Sequence, residues 1–257
     1  MTFENKVVLI TGASSGIGRE LARQLSKENC FLALLARRID LLTELEQQLL
    51  VSNSSLGIYQ CDVSKKSEVQ EVIKQVKERF GRIDIAILNA GVGSRSAVNE
   101  FNSDKAKFAF DVNVLGITNC VEAVLPDFIE SKSGMIVGVS SLADSRGWPG
   151  SGFYAASKAA ATTLLESLRI EAKKYNVKVI TVKPGFVRTA MTANNKFPMP
   201  FLMDVEKAAS IIINGMKKEK RIIQFPLFTV LGSKLIRIIP DFLFEYFAAK
   251  GSHKISN

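Results

Sequence analysis

Short runs of consecutive apolar residues recur along the chain and are separated by stretches with a longer apolar period. The runs lie at residues 6–11, 31–36, 56–61, 83–88, 134–140 and 177–182. Apolar side chains on successive residues are typical of strands that are buried on both faces of a sheet. We therefore predict a strand at each run.

The stretches between the runs carry apolar residues at helical spacing. The spacing is clear for Leu41, Leu45 and Leu49, and again for Val69, Val72, Ile73, Val76 and Phe80. Alternation of strands and helices predicts an α/β fold with a doubly wound parallel sheet and helices on both of its faces. Ligands of such sheets bind at the carboxyl ends of the strands. The residues after each strand are therefore the first candidates for a site.

Composition points to one globular domain spanning residues 1–257, since 47% of the residues are hydrophobic and neither a repeat nor a linker interrupts the pattern. Cys30, Cys61 and Cys120 are too scattered for a disulfide framework, and we expect reduced thiols and a cytoplasmic location. The start, MTFENKVVLI, leads directly into a strand, and we predict no signal peptide. A net charge of +9 fits nucleic acid or an anionic membrane, but a basic soluble protein without a nucleic-acid partner is favoured.

A glycine-rich turn follows the first predicted strand, in the sequence TGASSGIG at residues 11–18. Glycines at a strand-to-helix turn let the backbone pass close to a pyrophosphate and aim amide groups at it. The spacing G-x-x-x-G-x-G differs from the commoner G-x-G-x-x-G, and a simple tight turn is the alternative. The candidate cofactor-binding residues of this turn are Gly12, Ser14, Ser15, Gly16, Ile17 and Gly18.

Two arginines, Arg37 and Arg38, end the second strand, where an NAD-binding fold usually places an acidic residue for the ribose 2′-hydroxyl. Arginine suits a 2′-phosphate through its charge and planar donor fork. The alternative is a pair of solvated arginines at a helix start, with Asp40 as a nearby partner. The pattern favours NADP over NAD.

The third and fourth strands also end in candidate cofactor-binding residues. Asp62 is a candidate acceptor for the adenine amino group, with Val63 against the ring, although capping of the next helix explains the aspartate equally well. Asn89, Ala90 and Gly91 are candidates for a turn beneath the adenosine ribose, or for an ordinary Asn-Ala-Gly turn.

An alanine-rich stretch, GFYAASKAAA at residues 152–161, places Tyr154 and Lys158 four residues apart. Alanine favours a helix, so the two side chains are predicted to share one helical face. A nearby cation lowers the pKa of a tyrosine, and a tyrosine tuned in this way can transfer protons near neutral pH. A chance pair on a helix is the alternative.

Together, these motifs resemble the short-chain dehydrogenase/reductase superfamily, of the NADP-preferring carbonyl reductase type, with its Rossmann-type fold. The resemblance covers Val7 to about Thr189 and rests on motifs in family order: T-G-x-x-x-G-x-G, N-A-G, the isolated Asn113, Ser141, Y-x-x-x-K and PGFVRT at residues 184–189. Each motif is modest, but the ordered set is specific.

The resemblance implies a role for each residue. Tyr154 is the acid or base, Lys158 lowers its pKa and binds the nicotinamide ribose, and Ser141 holds the substrate oxygen. Asn113 positions a water that links Lys158 to the bulk. In the PGFVRT segment, Val187 and Thr189 contact the nicotinamide carboxamide, and Pro184 and Gly185 also belong to the cofactor site. No metal ligand is expected.

The chain departs from the family pattern at two positions. Leu88 stands where the family often has the first Asn of N-N-A-G, and Ser15 stands where many NADP-dependent members have a basic residue in the glycine turn. The second departure leaves Arg37 and Arg38 to determine the cofactor preference.

The resemblance implies a mobile substrate lid around residues 186–203, where Met, Phe and Pro are frequent. Packing of these residues against the body is an equal alternative. Arg146, Trp148 and Phe153 flank the serine and the tyrosine and are candidates for the pocket lining. An apolar segment follows at 225–251, with Lys and Arg interleaved. A homodimer or homotetramer interface, or core packing, is favoured over contact with a membrane surface.

The leading interpretation is an NADP(H)-dependent enzyme that interconverts a carbonyl and a secondary alcohol, on an apolar substrate. A non-catalytic dinucleotide sensor is one alternative, although it needs no proton relay. An epimerase or dehydratase of sugar nucleotides is another. Such enzymes share Y-x-x-x-K but usually have a longer C-terminal domain and a different glycine spacing.

Overall fold

The computed structural model describes residues 1–49, 55–193, 195 and 197–253, with side chains up to residue 250. The strands are β1 (Val7–Thr11), β2 (Phe31–Ala36), β3 (Leu56–Gln60), β4 (Ile85–Leu88), β5 (Met135–Val139), β6 (Lys178–Pro184) and β7 (Ile222–Phe225). The helices are α1 (Gly16–Leu25), α2 (Ile39–Leu49), α3 (Lys66–Phe80), α4 (Ser103–Phe110), α5 (Gly116–Glu130), α6 (Gly152–Ala172), α7 (Ala190–Ala193), α8 (Val205–Lys217), α9 (Leu227–Ile238) and α10 (Asp241–His253).

The strands form one parallel sheet in the order β3-β2-β1-β4-β5-β6-β7. At the centre, Leu9 of β1 pairs with Ala33 on one side and with Ala86 on the other. The predicted single-domain, doubly wound parallel sheet is confirmed. The chain order reverses between β1 and β4, and a crevice at the carboxyl ends of these strands is where such sheets bind ligands.

Both faces of the sheet are buried, as the apolar runs predict. In β1, Val8 and Ile10 belong to one core cluster, whereas Val7 and Leu9 belong to the other. Helices α1, α2 and α8 cover the first cluster, and α3, α5 and α6 cover the second. The three cysteines are buried free thiols, and burial raises the pKa of Cys30 and of Cys61 to about 12.

Helices α4 and α5 are joined by a π-helical turn, Asp111–Leu115. In the described part of the chain, this continuous helical stretch from Ser103 to Glu130 is the one helix that is long and apolar enough to cross a membrane by length and composition. Its side chains Val112, Cys120 and Phe128 pack in the core beneath the sheet. Burial of the most apolar window of this stretch is 39%, so the stretch packs on the core with part of its surface.

The apolar C-terminal segment at 225–251 comprises the last residue of β7, all of α9 and most of α10. Val230 is the one buried residue of α9 in the structure, so core packing is the wrong explanation for most of the apolar side chains in this helix. They are exposed instead.

Candidate active site

The turn after β1 depends on glycines and leads directly into α1. Gly12 and Gly16 adopt left-handed φ angles of +67° and +56°. A Cβ atom on Gly12 would lie 2.8 Å from the Ala90 Cα, and one on Gly18 would lie 2.4 Å from the Gly12 carbonyl oxygen. Ser15 is the N-cap of α1 but makes no side-chain capping bond. The first amides of this helix are therefore available to an anion.

Thr11 and Asn89 lock the glycine turn onto the end of β4. The Thr11 hydroxyl accepts hydrogen bonds from the amides of Asn89 and Ala90, each at 3.0 Å. The Asn89 side chain donates to the carbonyl oxygens of Thr11 at 3.1 Å and Gly12 at 3.3 Å. Sequence reasoning gave Thr11 no role of its own, and its position before the first glycine was the available signal.

The two arginines after β2 point to different partners. Arg38 donates from one guanidinium nitrogen to the hydroxyls of Ser14 at 3.2 Å and Ser15 at 2.8 Å. The Arg37 guanidinium lies 6.0 Å from the ring centroid of Phe108 on α4. Arg38 therefore stands at the glycine turn, and both arginines are exposed.

Asp62 and Val63 lie in the turn before α3, whose N-cap is Lys65 and has no side-chain capping bond, so the helix-capping alternative for Asp62 is wrong. The Asp62 carboxylate accepts from the amide and hydroxyl of Ser64, at 3.0 and 2.7 Å, and the Asp62 amide donates to Glu68. The Val63 side chain is buried in the core, where a Cβ on Gly116 would lie 2.7 Å from it. The prediction that the Val63 side chain faces an adenine ring gains no support from this packing.

Asn113 is fully buried in the π-helical turn. Its side chain accepts from the Val92 amide at 2.8 Å and donates to the Val92 carbonyl at 3.0 Å and to Ser157 at 2.9 Å. These bonds tie the loop after β4 to α6. The side chain is thus engaged with the protein itself, in a way that the spacing of the motif did not predict.

Lys158 brings a charge into the interior at the end of β5. Its ammonium donates to the Val139 carbonyl at 2.9 Å, and burial lowers the pKa of Lys158 to about 8. A Cβ on Gly91 would lie 3.2 Å from both the Lys158 Nζ and the Asn113 Oδ1. Gly91, Asn113 and Lys158 therefore meet at one point, as residues of one site should.

Tyr154 lies one helical turn before Lys158, and its hydroxyl faces Ser141. The pKa of Tyr154 is raised, chiefly because burial disfavours the phenolate and further because of the nearby Asp144 charge; the hydrogen bond with Ser141 opposes the shift. The expected lowered pKa is thus not found, because burial outweighs the favourable contacts. The Lys158 Nζ lies 5.9 Å from the Tyr154 ring centroid.

A buried ionic network supports this pair, and sequence reasoning missed it. Lys183 and Thr162 both contact Asp144 Oδ2, at 2.7 and 2.6 Å, and the Lys183 and Asp144 side chains are 14% and 4% exposed. Ser140 Oγ lies 2.7 Å from Thr162 Oγ1 and donates to the Lys158 carbonyl at 2.9 Å. The network joins β6 to the helix that carries Tyr154 and Lys158.

The segment after β6 approaches the glycine turn. A Cβ on Gly16 would lie 3.2 Å from Thr189 Cγ2. The Thr192 hydroxyl accepts from the Thr189 amide and donates to the Val187 carbonyl, which fixes this backbone. Pro184 contributes a carbonyl 3.5 Å from the Ser141 hydroxyl, and the Gly185 amide donates to Phe225.

The three expected pocket residues have other partners. Arg146 donates to Asp241 and to the Ile239 carbonyl, each at 2.6 Å, and so anchors the start of α10. The Trp148 ring lies 5.3 Å from that of Phe244, and the Phe153 ring 5.0 Å from that of Phe101.

Comparison with known proteins identifies the class. Residues 6–198 match the family model described as short chain dehydrogenase. An uncharacterized oxidoreductase of Myxococcus xanthus is 34% identical over 240 residues, which are 93% of this chain and 95% of the relative. Another, of Staphylococcus saprophyticus, is 38% identical over 191 residues, or 74% of this chain and 77% of the relative. The chain belongs to the short-chain dehydrogenase/reductase family.

Solved structures agree. A short chain dehydrogenase/reductase from Burkholderia phymatum in complex with NAD has a TM-score of 0.85 over 91% of this chain and 94% of its own, and at 22% identity it shows the fold alone. An alcohol dehydrogenase from Thermococcus sibiricus complexed with 5-hydroxy-NADP has a TM-score of 0.78 at 30% identity, over 86% and 95%. A short-chain dehydrogenase from Sphingobium yanoikuyae in complex with NADPH reaches 0.80 at 26%, over 92% and 97%. This chain is an NAD(P)-dependent oxidoreductase of that family.

Replacing Asp144 with asparagine tests the buried network. Asp144→Asn leaves the Lys183 ammonium without its carboxylate in a mostly buried position, and breaking a buried ion pair in this way costs about 3 kcal/mol. The free energy of unfolding, measured in urea, should fall by that order. The control is Glu78→Gln, which breaks an ion pair with Lys74 whose two side chains are 63% and 68% exposed and should cost less than about 1 kcal/mol. Equal losses of unfolding free energy in the two variants would show that the buried network stabilises the protein no more than an exposed ion pair does.

Proposed function

We propose that the chain is an NADP(H)-dependent oxidoreductase that interconverts a carbonyl group and a secondary alcohol on an apolar substrate. One observation carries the proposal: the Tyr154 hydroxyl is paired with Ser141 and lies one helical turn from the buried Lys158, next to the crevice where the glycine turn ends. A proton donor, a second hydroxyl and a cation at one strand edge are the groups that carbonyl reduction requires of the protein.

The residues at the crevice fit a dinucleotide. The positions that would crowd a pyrophosphate are glycines, and at Gly12 and Gly18 a Cβ would collide with backbone atoms. The α1 amides would hold the pyrophosphate, and Asn89 to Gly91 would lie beneath the adenosine ribose. Lys158 would bind the nicotinamide ribose, and Thr189, with the backbone at Val187, would meet the carboxamide. The cofactor, when bound, supplies or accepts the hydride.

Arg38 is the residue that best supports a preference for NADP. Its contacts with Ser14 and Ser15 hold a guanidinium and two hydroxyls beside the turn that would carry the adenosine half. These groups are the donors that a 2′-phosphate attracts. Arg37 directly precedes Arg38 in the sequence. Its guanidinium would reach the same phosphate after moving away from the Phe108 ring.

Proton transfer is the contribution of this chain's own residues. The raised pKa of Tyr154 keeps its hydroxyl protonated at neutral pH. The protonated hydroxyl is the form that can donate a proton to a carbonyl oxygen. Ser141 would hold that oxygen beside the phenol. Lys158 would favour the phenolate left after transfer, because an adjacent cation stabilises it. Asn113 would act by fixing the Val92 loop and α6 relative to each other, since its side chain already bonds both.

The segment at 186–203 supports the idea of a lid with a fixed base. Val187 pairs with Met203, and the amides of Arg188 and Met203 donate across the base at 2.8 and 3.0 Å. Above the base, Phe197 lies 5.9 Å from Phe186 and beneath the Arg95 guanidinium. The phenylalanines of this segment support the proposal of an apolar substrate.

Tyr154→Phe tests the proton donor. The change removes the hydroxyl and keeps the ring, so carbonyl reduction should slow by about 100- to 10,000-fold, the usual range for general acid catalysis. NADPH affinity, measured by fluorescence titration, should stay close to the wild-type value. In the wild type, the rate should fall at high pH as the phenol ionises. Near-normal turnover of the variant would rule out Tyr154 as the acid.

Arginine substitutions test the cofactor preference. Hydrogen bonds to charged groups contribute about 1.5–3 kcal/mol, or roughly tenfold or more in affinity each. Arg38→Ala should therefore weaken NADPH binding at least about tenfold, the double change with Arg37→Ala should weaken it further, and NADH affinity should hardly change. Lys74→Ala, at an exposed lysine of α3, is the control for loss of one charge. If the ratio of the NADPH and NADH dissociation constants is the same in the double variant as in wild type, the proposed role of these arginines in NADP preference is refuted.

A further inference from the structure

The helix α9 exposes one continuous apolar surface. Its members lie three or four residues apart, or adjacent, and so share one side of the helix. We call them the C-terminal apolar face: Leu227, Phe228, Leu231, Leu235 and Ile238. Phe228 is 64% exposed and Ile238 76%. Single exposed apolar residues need no explanation, but a contiguous set of this kind marks a surface that binds something apolar.

The charges beside the face are all positive. The α9 sequence, LFTVLGSKLIRI, contains Lys234 and Arg237 and no acidic residue. Both cations are exposed, and helical spacing places them along one border of the face. An apolar stripe with a cationic border is the pattern of a helix that lies in the interface of an anionic membrane.

Helix α10 continues this pattern. Phe242, Tyr246 and Phe247 are exposed, and the Lys250 ammonium lies 4.2 Å from the Tyr246 ring centroid. Helix α10 also carries two carboxylates: Asp241 is held by Arg146, whereas Glu245 is exposed, so the uniformly positive border belongs to α9 alone. Aromatic rings and long cationic side chains suit the boundary between headgroups and acyl chains, because both combine an apolar body with a polar end.

We propose that the C-terminal apolar face docks on the surface of a lipid bilayer that contains anionic lipids. The apolar side chains would enter the outer acyl region, and Lys234 and Arg237 would meet the headgroups. The overall charge of +9 acts in the same direction.

A second copy of this chain fits the face less well. Two-fold self-association pairs a surface with itself. Contact through α9 would bring the cationic borders of both copies into one interface, with no carboxylate on either helix to pair with them. A surface of negative headgroups meets those cations with complementary charge.

The face also adjoins the substrate end of the molecule. The Phe228 ring stacks on Phe201, in the proposed lid segment, with centroids 5.3 Å apart, and Trp148 packs on Phe244 of α10 at 5.3 Å. Docking would therefore place the rim of the cleft at the lipid. On the basis of the proposed function, the substrate class is an apolar carbonyl or alcohol dissolved in the membrane.

Vesicle flotation of the full-length protein tests the docking without any turnover. The probes are vesicles of pure phosphatidylcholine and vesicles of phosphatidylcholine with phosphatidylglycerol, at low and high salt. Wild type should bind the anionic vesicles more tightly. The double variant Leu231→Ser, Leu235→Ser should bind them about 100-fold less tightly, at roughly tenfold for each leucine that no longer enters the apolar phase.

The charge variant Lys234→Gln, Arg237→Gln should lose about fivefold for each cation and most of the salt dependence. Ile170→Ser is the matched control, because Ile170 is an isoleucine of α6 that is 73% exposed. This control should bind like wild type. Thermal unfolding and NADPH titration establish that each variant is folded.

Three results would overturn the docking proposal. The first is equal or absent binding of wild type to both kinds of vesicle. The second is undiminished binding by the folded leucine variant. The third is a dimer in solution that the leucine variant dissociates while vesicles capture neither protein, since a second copy would then be the occupant. Because flotation is read without substrate, loss of the proposed enzymatic activity would leave a positive docking result standing.

Discussion

A lysine ammonium buried at the carboxyl edge of β4 and β5 is the constraint on which the site depends. Lys158 is 4% exposed and its pKa is lowered to about 8, because burial disfavours a charge that leaves water. Its bond to the Val139 carbonyl requires α6 to lie close to the sheet. Gly138 permits that approach, since a Cβ there would lie 2.3 Å from Leu165 of α6. The close packing of α6 on the sheet therefore both fills the core and sets the position of Lys158.

The parallel sheet brings the other parts of the site to the same edge. The glycine turn follows β1, Gly91 follows β4, Ser141 follows β5 and the residues leading to Thr189 follow β6. None of these segments is close to another in sequence, but the carboxyl ends of parallel strands meet. Hydrogen bonds that Thr11 and Asn113 accept, and one that Asn89 donates, then fix the loops to each other. The strand order thus positions the residues that we propose for cofactor binding and proton donation.

Much of the fold was predictable because buried parallel strands are apolar on every residue, as at residues 31–36, where the predicted bounds match β2. The edge strand β7 was not predicted, because it has only four residues and follows a run of charged residues. The sequence motifs predicted the locations of Gly12 and Lys158 at the carboxyl edge of the sheet, because each motif needs a particular residue type there. Contacts across the sequence were not readable: Asp144 meets Lys183, and burial raises the pKa of Tyr154, only in the folded chain.

The central claim is that the Lys158 ammonium both holds the cofactor and tunes Tyr154. The most direct test is to measure, for wild type and Lys158→Met, the NADPH dissociation constant and the pH profile of carbonyl reduction. The account predicts weaker NADPH binding in the variant. It also predicts that the fall in rate near pH 8, where the Lys158 ammonium loses its charge, is absent from the variant. Unchanged affinity together with an unchanged profile would contradict the account and leave Lys158 with a purely structural role.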